Sequence, residues 1–594
     1  MALLNTNVGP ERVQVFDQPL GNVSIPGAGI SVAAILISTS LGGAPVNTPT
    51  EVTSLEEFVD AFGGPDEVEY EAYYAVKGYY DNAGSGARAI IVNVGTSPTA
   101  ASFIGNAAAG TGLRALDGID DIGLVMCPGL PLSMAYLVQS AVIDYAETIR
   151  AEFGSTLSTV FSLVAIPKEI NRADVDTTLL TGQLQAITGA GPWVLDIYSE
   201  NTSVAATGTY TVVDYTQLAG KTVTVNGTVL TEGVEWSAIT SNDATATSLA
   251  AAIAALAAVN AAAVGAVVTV TAAAAGAAGN SIATLTQDAV NLTVSGATLS
   301  GGSDGNLTLS SVTPGMIVKN QAETYVGVIS AVDDSADSVT VTPDPSTFLS
   351  PGDDVLICRP SAVTYKNEVI SNSVSRVAAW YFNAVVVVDE SSTALPGDLV
   401  IVDPVGHVAG MIARIDANIS IGGPSHAPAG IQYAGLAGVS GLQLALSERK
   451  DAEPLRLNFI NRITSFGSGP VVFGGYSADS GVSAVFTADE QLIQVMRTLQ
   501  YIKASLEPGL RAFLWENFSP ATQGQVQGAI EAFCRNNIHL FPAGLPESSK
   551  FKVISVEPTQ NELDQGLLKV RIQVRPNKAV RFIEIALEFP LPAA

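Results

Sequence analysis

The run ISVAAILIS (30–38) is largely apolar and suits a buried strand, and AIIVNV (89–94), DIGLVMC (121–127) and VFSLVAI (160–166) read as further strands. Strands buried on both faces read this way, because neither side needs a polar residue. Helical stretches stand between them. Ser54 and Glu57 frame a capping box that opens SLEEFVDAFGG, and Gly63-Gly64 stops it. Residues 67–82 bring Tyr70, Tyr73, Tyr74 and Val76 near one helical face, and a further helix is predicted near 136–152. This order of helix, turn and strand is the α/β pattern. Ahead of it, ERVQVFD (11–17) alternates like a short strand behind a loose tail.

From about residue 200 the pattern changes to short β segments: TYTVVDY, KTVTVNGTVLTEG, VVTVT and NLTVSGATLSGG. Asn226-Gly227 between Val-rich runs predicts a hairpin. A second β-rich stretch at 305–360 (GMIVKNQ, TYVGVISAVDD, DSVTVTP, DDVLICRP) reads as a small barrel. The α/β character returns after 362 with WYFNAVVVVD and GHVAGMIARID. Near the end, Thr487 and Glu490 suggest a capping box for a helix over 488–506, with Leu492, Val495, Met496, Leu499 and Ile502 on one face. Ser519-Pro520 starts another helix that runs to about Asn537. Three strands follow: FKVISVE, LLKVRIQV and VRFIEIALEF. The expected fold is therefore multi-domain, α/β and α+β, with mixed sheets and helices as its body and inserted all-β domains. The expected segments are an arm at 1–22, an α/β domain at 23–199 and 362–445, β inserts at 200–304 and 305–361, and a C-terminal domain at 446–594.

Composition narrows the function. The 594 residues are 47% hydrophobic and only 14% charged, with a net charge of −28. Disordered chains have the opposite balance. Binders of nucleic acid or anionic lipid normally present a basic face, so neither is expected as a partner. The charge is uneven: residues 446–594 hold 15 basic and 15 acidic residues, while 1–445 hold 13 and 41. No Lys or Arg lies between Lys221 and Lys319, which marks an inserted module. The charge-free stretch 248–279 is mostly Ala, so it reads as a small helix (Ile253, Leu256 and Val259 on one face) and a strand (Val267, Val268, Val270), not a membrane span. The N-terminus lacks the basic-then-apolar order of a signal peptide.

Candidate chemistry is sparse. Cys127, Cys358 and Cys534 are far apart, which rules out a zinc ribbon or a CxxC pair. His407, His426 and His539 have no second His or Cys at ligand spacing. There is no phosphate loop and no nucleophile elbow. Gly84-Ser85-Gly86, Gly301-Gly302 and Gly422-Gly423 read as turns. Asp333, Asp334 and Asp337 lack the remaining ligands of a calcium loop. No enzyme activity, cofactor or metal is expected. The strand-like segments near the two ends can pair within their own sheet or add to a neighbour's edge, and the residues leave both open.

Five blocks, in order, resemble the contractile tail sheath proteins of bacteriophages and related injection machines. They are SIPGAGISVAAILISTSLGGAPVNTPTEVTSLEEFVDAFGG (24–64), YYAVKGYYDNAGSGARAIIVNV, ALDGIDDIGLVMCPG (115–129), GHVAGMIARID (406–416) and HAPAG (426–430). The final region, with Asn561 and the last two strands, is similar in order and spacing. RLNFINRI (456–463) is only a loose counterpart of the family's Arg-Arg pair, and 200–360 falls outside the likeness.

The resemblance implies a structural subunit that polymerises around a tail tube and contracts. Its partners would be further copies of itself in a helical homo-oligomer of stacked hexameric rings, the tail tube protein, and baseplate and tail terminator proteins. It would assemble in the host cytoplasm and reside in the virion tail. It also implies two inter-subunit strands: one with Arg12, Val13, Gln14, Val15 and Phe16, the other with Arg581, Phe582, Ile583, Ile585 and Leu587. The helix at 488–506, with Arg497 and Lys503, would face the tube. Other readings are a different virion subunit (tail tube, capsid or adhesin) or an α/β enzyme.

Overall fold

The computed structural model describes residues 25–581, apart from 151–157, 187–192, 198–204, 303–310, 334–337, 343–348, 479–487, 556–558, 560–566 and the short positions 44, 68, 275–276, 323, 351, 371–372, 449 and 518. The chain forms two compact units, one from residues 1–177 with 360–594, the other from 178–359.

The first unit is built on an eight-stranded sheet. Its strands are β1 (Ala33–Ile37), β2 (Thr50–Val52), β3 (Ala89–Asn93), β4 (Leu124–Met126), β5 (Phe161–Ala165), β6 (Ala378–Phe382), β7 (Ile460–Phe466) and β8 (Gly469–Phe473), in the order β2-β3-β1-β4-β5-β6-β7-β8. The six strands from β3 to β7 are parallel, and β2 and β8 close the two edges antiparallel. Every residue of β1, β3, β4, β5 and β6 is buried, which is why their sequences are almost wholly apolar; the two polar exceptions are bonded, Asn93 to the Thr39 backbone and Ser162 Oγ to the Val377 carbonyl.

Helices α1 (Tyr70–Ala83), α2 (Leu132–Asp144) and α3 (Val405–Ala417) belong to this unit. Helices α1 and α3 touch closely because Gly406 and Gly410 of α3 carry no side chain there. A Cβ at Gly406 would lie 2.1 Å from the Ala75 carbonyl oxygen, and one at Gly410 2.2 Å from that of Tyr79. The tyrosines of α1 are core and anchor residues: Tyr73 and Tyr74 are buried and donate to Glu390 (2.7 Å) and Asp389 (3.3 Å). The capping box is shifted by one residue. Ser54 Oγ accepts from Glu57 N (3.2 Å), and Glu57 accepts from Thr53 N (2.7 Å) rather than from Ser54 N.

The second unit contains a closed six-stranded barrel, ordered Ile317–Asn320, Tyr325–Asp333, Ser338–Thr342, Trp193–Ile197, Thr177–Ala186, Asp354–Arg359. Two of its strands come from 177–197, a segment the sequence pattern groups with the preceding α/β domain. Barrel closure pairs segments far apart in sequence, which local periodicity does not register. Between barrel strands lies a further module with its own core around Tyr210, Trp236, Leu249, Ile253 and Val268. It has a three-stranded and a four-stranded sheet and the helix Asn242–Ala254. Asn226 and Gly227, with φ of 48° and 75°, make the hairpin turn their sequence predicts. Val259 opens a strand instead of extending the helix face. Among the described residues no helix is long and apolar enough to cross a membrane.

Candidate assembly surface

The C-terminal part of the first unit gathers α4 (Ile493–Leu510), α5 (Pro520–Asn536) and a hairpin of Phe551–Ser555 with Val570–Val574. Ser519 caps α5 by accepting from Thr522 N (3.1 Å), with Pro520 at the first helical position. Helix α4 begins later than the sequence suggests. Glu490 lies outside it and accepts from Arg376 (3.1 Å), and Thr487 is outside the described residues. One apolar cluster holds the group together: Ile502 and Leu506 of α4, Ile530 and Phe533 of α5, and Phe551 and Val553 of the hairpin.

Ile25 belongs to the same cluster. The entering chain lies so close to α4 that a Cβ at Gly27 would meet the Tyr501 hydroxyl at 2.0 Å, and one at Gly509 would meet Ile25 at 2.4 Å. Ala28 N donates to Ser505 Oγ (2.9 Å). The Ile-Pro-Gly start at 25–27 is thus a docking element. Its glycine is there because a side chain would collide with α4.

The hairpin is antiparallel, with Phe551 opposite Val574 and Val553 opposite Ile572. Phe551 and Val553 are buried; Val570, Ile572 and Val574 are half-buried; Lys552, Arg571 and Gln573 point to solvent. Among the described residues neither outer edge of the pair carries a further strand. The chain continues as a ribbon with exposed Arg575, Lys578 and Arg581, tied down by Asn577 Nδ2, which donates to Ser425 Oγ and to the His539 carbonyl (each 3.2 Å). Lys578 pairs with Asp489. Both ends of the described chain therefore leave from the first unit, the N-terminal end directly from the cluster that supports the hairpin.

The sequence-predicted residues fare differently. Arg12, Val13, Gln14, Val15, Phe16, Phe582, Ile583, Ile585 and Leu587 lie outside the described residues. Arg581 is exposed. Lys503 is half-buried on α4. Arg497 is a correction: it is 1% exposed and faces inward, so this surface offers no Arg497 to a tube. Its guanidinium donates to the carbonyls of Gly123 (3.1 Å) and Ile30 (3.0 Å) and pairs with Asp416, the last polar residue of α3. Asp416 also accepts from Ser31 Oγ (2.7 Å). This buried ion pair ties α4 to the starts of β1 and β4 and to α3. In a sequence, one Arg in a mixed helix reads as surface.

Sequence reasoning also missed a half-buried charge cluster at the carboxyl edge of the parallel sheet. The chain order reverses between β1 and β4, where sheets of this type usually receive a ligand. Here the chain's own side chains fill the position. Glu69 accepts from Thr39 Oγ1 (3.1 Å) and Ser40 N (2.7 Å). Glu71 takes Lys168 Nζ (2.6 Å) and Asp403 N (3.1 Å). Asp403 accepts from Val405 N (2.9 Å) and Gly129 N (3.2 Å). Burial, then the charge of Glu71, pushes the Asp403 carboxyl up to about 7. Burial also raises Glu71, against the opposing charge of Lys168. His407, between α1 and α3, is held down to about 4 by burial. Among the described residues no three His, Cys, Asp or Glu side chains are placed to hold a metal ion.

No protein-family model matches the chain, and no curated protein matches it. Among solved structures it is similar to the helical sheath of the anti-feeding prophage in its contracted state, at 14% identity over 98% of this chain and 99% of that one, with a TM-score of 0.49. It is similar to the contracted PVC sheath complex of an extracellular contractile injection system, at 11% identity over 98% of both chains, with a TM-score of 0.47. It is also similar to the sheath tail protein of Listeria innocua, at 9% identity over 93% of this chain and 96% of that one, with a TM-score of 0.32.

Proposed function

We propose that the chain is the structural subunit of a contractile sheath, polymerising with copies of itself around a tail tube and bounded by baseplate and terminator proteins. The observation that carries this reading is the C-terminal hairpin, whose two edges carry no further strand among the described residues, supported by the same cluster on which Ile25 docks. A two-stranded sheet is marginal alone and gains from added strands. A strand lent by a neighbour forms main-chain hydrogen bonds that need no fixed side-chain surface, so the link can survive when subunits rotate. Residues 12–17 and 580–589 are the strands to be lent. The ordered sequence blocks from 24 to 430 add independent support.

Charge supports the same reading. The basic ribbon from Arg571 to Arg581 stands in a chain of net charge −28, so neighbouring copies attract where the ribbon meets an acidic face. The extended lattice is a kinetic trap. A trigger at the baseplate lets one ring turn, the lent strands pass the turn along, and better-matched contacts in the contracted lattice supply the work that drives the tube through a host envelope. No catalytic residue takes part.

Negative-stain microscopy of the expressed chain tests this. Wide hollow cylinders are expected; thin tubes, shells or single particles would overturn the reading. Deleting residues 1–20 should abolish cylinders and leave a folded monomer, because Ile25 and Gly27 keep the docked part of the arm.

A further inference from the structure

The first unit carries a cleft of about 380 Å³ at one end of α4, with Arg456, Arg462, Phe473, Gln494 and Arg581 among its lining residues. Three buried polar atoms in its wall have no partner among the described residues: Gln494 Oε1, Gln494 Nε2 and Arg462 Nη1. Gln494 is 1% exposed and Arg462 6%, so water does not satisfy them from the surface. Such groups are rare in folded proteins and call for an explanation. The other Arg462 terminus is engaged, donating to Glu448 (2.7 Å), and the guanidinium lies over the Phe473 ring at 5.1 Å. Arg462 is therefore held in place with one donor left over. Leu492 and Gln494 also put the N-terminus of the 18-residue helix α4 at the cleft, with no side-chain cap and no acidic residue in its first turn. A spare guanidinium N–H and a spare amide N–H line one cleft and favour an anion; the positive end of α4 adds its dipole, its Ile493 N and Val495 N being already bonded to the Gly475 and Leu492 carbonyls (3.0 and 3.1 Å).

We propose that this cleft receives a carboxylate side chain from a second copy of the chain, with Arg462 and Gln494 as its donors. Gln494 Oε1 is left to accept a main-chain N–H of the same incoming segment, as an extended peptide provides. Charge selects the occupant. Three arginines line the cleft against Glu448 and Glu453, while residues 1–445 carry 41 acidic against 13 basic residues. The phenyl ring of Phe473 supplies an apolar floor for the stem of the incoming residue. The inference rests on the self-assembly reading and adds a second, side-chain-based contact to the lent strands.

Two measurements on the full-length chain test it. The first uses Arg462→Met with Gln494→Leu, which keep shape and remove the donors. The concentration at which particles form, read by sedimentation, should rise at least tenfold, while the thermal melt of the monomer stays or rises. A variant that assembles at the wild-type concentration overturns the cleft and leaves the sheath reading standing. A wild-type chain that never assembles overturns both. The second introduces the photo-crosslinker p-benzoylphenylalanine at Phe473 in assembled wild-type background, which holds even if the double variant misfolds. Cross-links to an Asp- or Glu-bearing peptide of another copy are expected, recognised by mixing isotopically light and heavy chains. Cross-links confined to light–light and heavy–heavy pairs in dissociated monomer, equally strong there as in particles, would overturn the proposal.

Discussion

The eight-stranded sheet and the C-terminal hairpin handle the same problem in opposite ways. Both are β-structure in the first unit. The large sheet blunts its edges: buried strands run through its middle, β2 is only three residues long, and the segment 430–436 bonds along β8, Gly430 N donating to the Val472 carbonyl (2.9 Å) and Val472 N to the Ala434 carbonyl (3.0 Å). The hairpin has two strands, a half-buried face and two unpaired edges among the described residues. Unpaired edges invite another chain, and proteins that do not want one blunt them. On the proposed reading, the contrast teaches that one part of this chain carries the stability of the monomer and the other its capacity to associate.

Changes ranked by their effect on the monomer sharpen this contrast. Arg497→Ala should have the largest. It removes one partner of a buried pair and leaves Asp416 uncompensated, at a cost of about 3–5 kcal/mol. The midpoint of urea denaturation should fall accordingly, and Asp416→Asn in the same chain should recover part of the loss. An unchanged midpoint would mean that α4 and the sheet are not coupled through this pair.

Next comes Asp403→Asn, whose effect depends on pH. The native carboxyl titrates near 7, well above its ordinary 3.8. The native state therefore keeps a proton that the unfolded chain has released. The stability this group contributes is complete below about pH 4 and is lost as pH rises through about 7. Asn imitates the protonated form, so the variant should exceed the wild type by about 1–3 kcal/mol at pH 8 and match it at pH 4. Thermal melts across that range measure it, and a constant difference would exclude the titration.

Ile572→Thr in the hairpin should cost the monomer less than Arg497→Ala, about 1 kcal/mol, because the site is only half-buried. Its effect on particle formation should be the larger one. The smallest effect on the monomer is expected at Trp515, which follows α4 fully exposed, with a φ of 71°. Trp515→Gly removes no buried area and relieves a left-handed conformation that costs a side chain about 1–2 kcal/mol. The melt should stay level or rise slightly; a fall would show that the indole has a partner within the chain.

Much of the large sheet was legible in the sequence. The runs at 33–37, 89–93, 124–126 and 161–165 are apolar but for the buried Asn93 and Ser162, because parallel strands are covered on both faces, and that constraint is written locally. The same holds for the Asn226-Gly227 turn and for the Ser519-Pro520 helix start, each set by a few adjacent residues. Arg497 was not legible. Its neighbours in sequence say nothing of Gly123, Ile30 and Asp416, and an Arg on a helix usually meets water. Glu71 and Asp403 were hidden for the same reason: they lie more than 300 residues apart in the chain, and only α1 against the edge of the sheet makes them neighbours.

The sequence by itself determined the elements, the change from α/β to β and back, and the uneven charge, since these follow from periodicity, turn chemistry and residue counts within short windows. The tertiary structure decided which strands share a sheet, where the barrel closes, which arginine is buried and which polar atoms stand unpartnered in a cleft. Those outcomes depend on contacts between distant segments, where burial and loss of water set the energy of each group, and no local pattern encodes them.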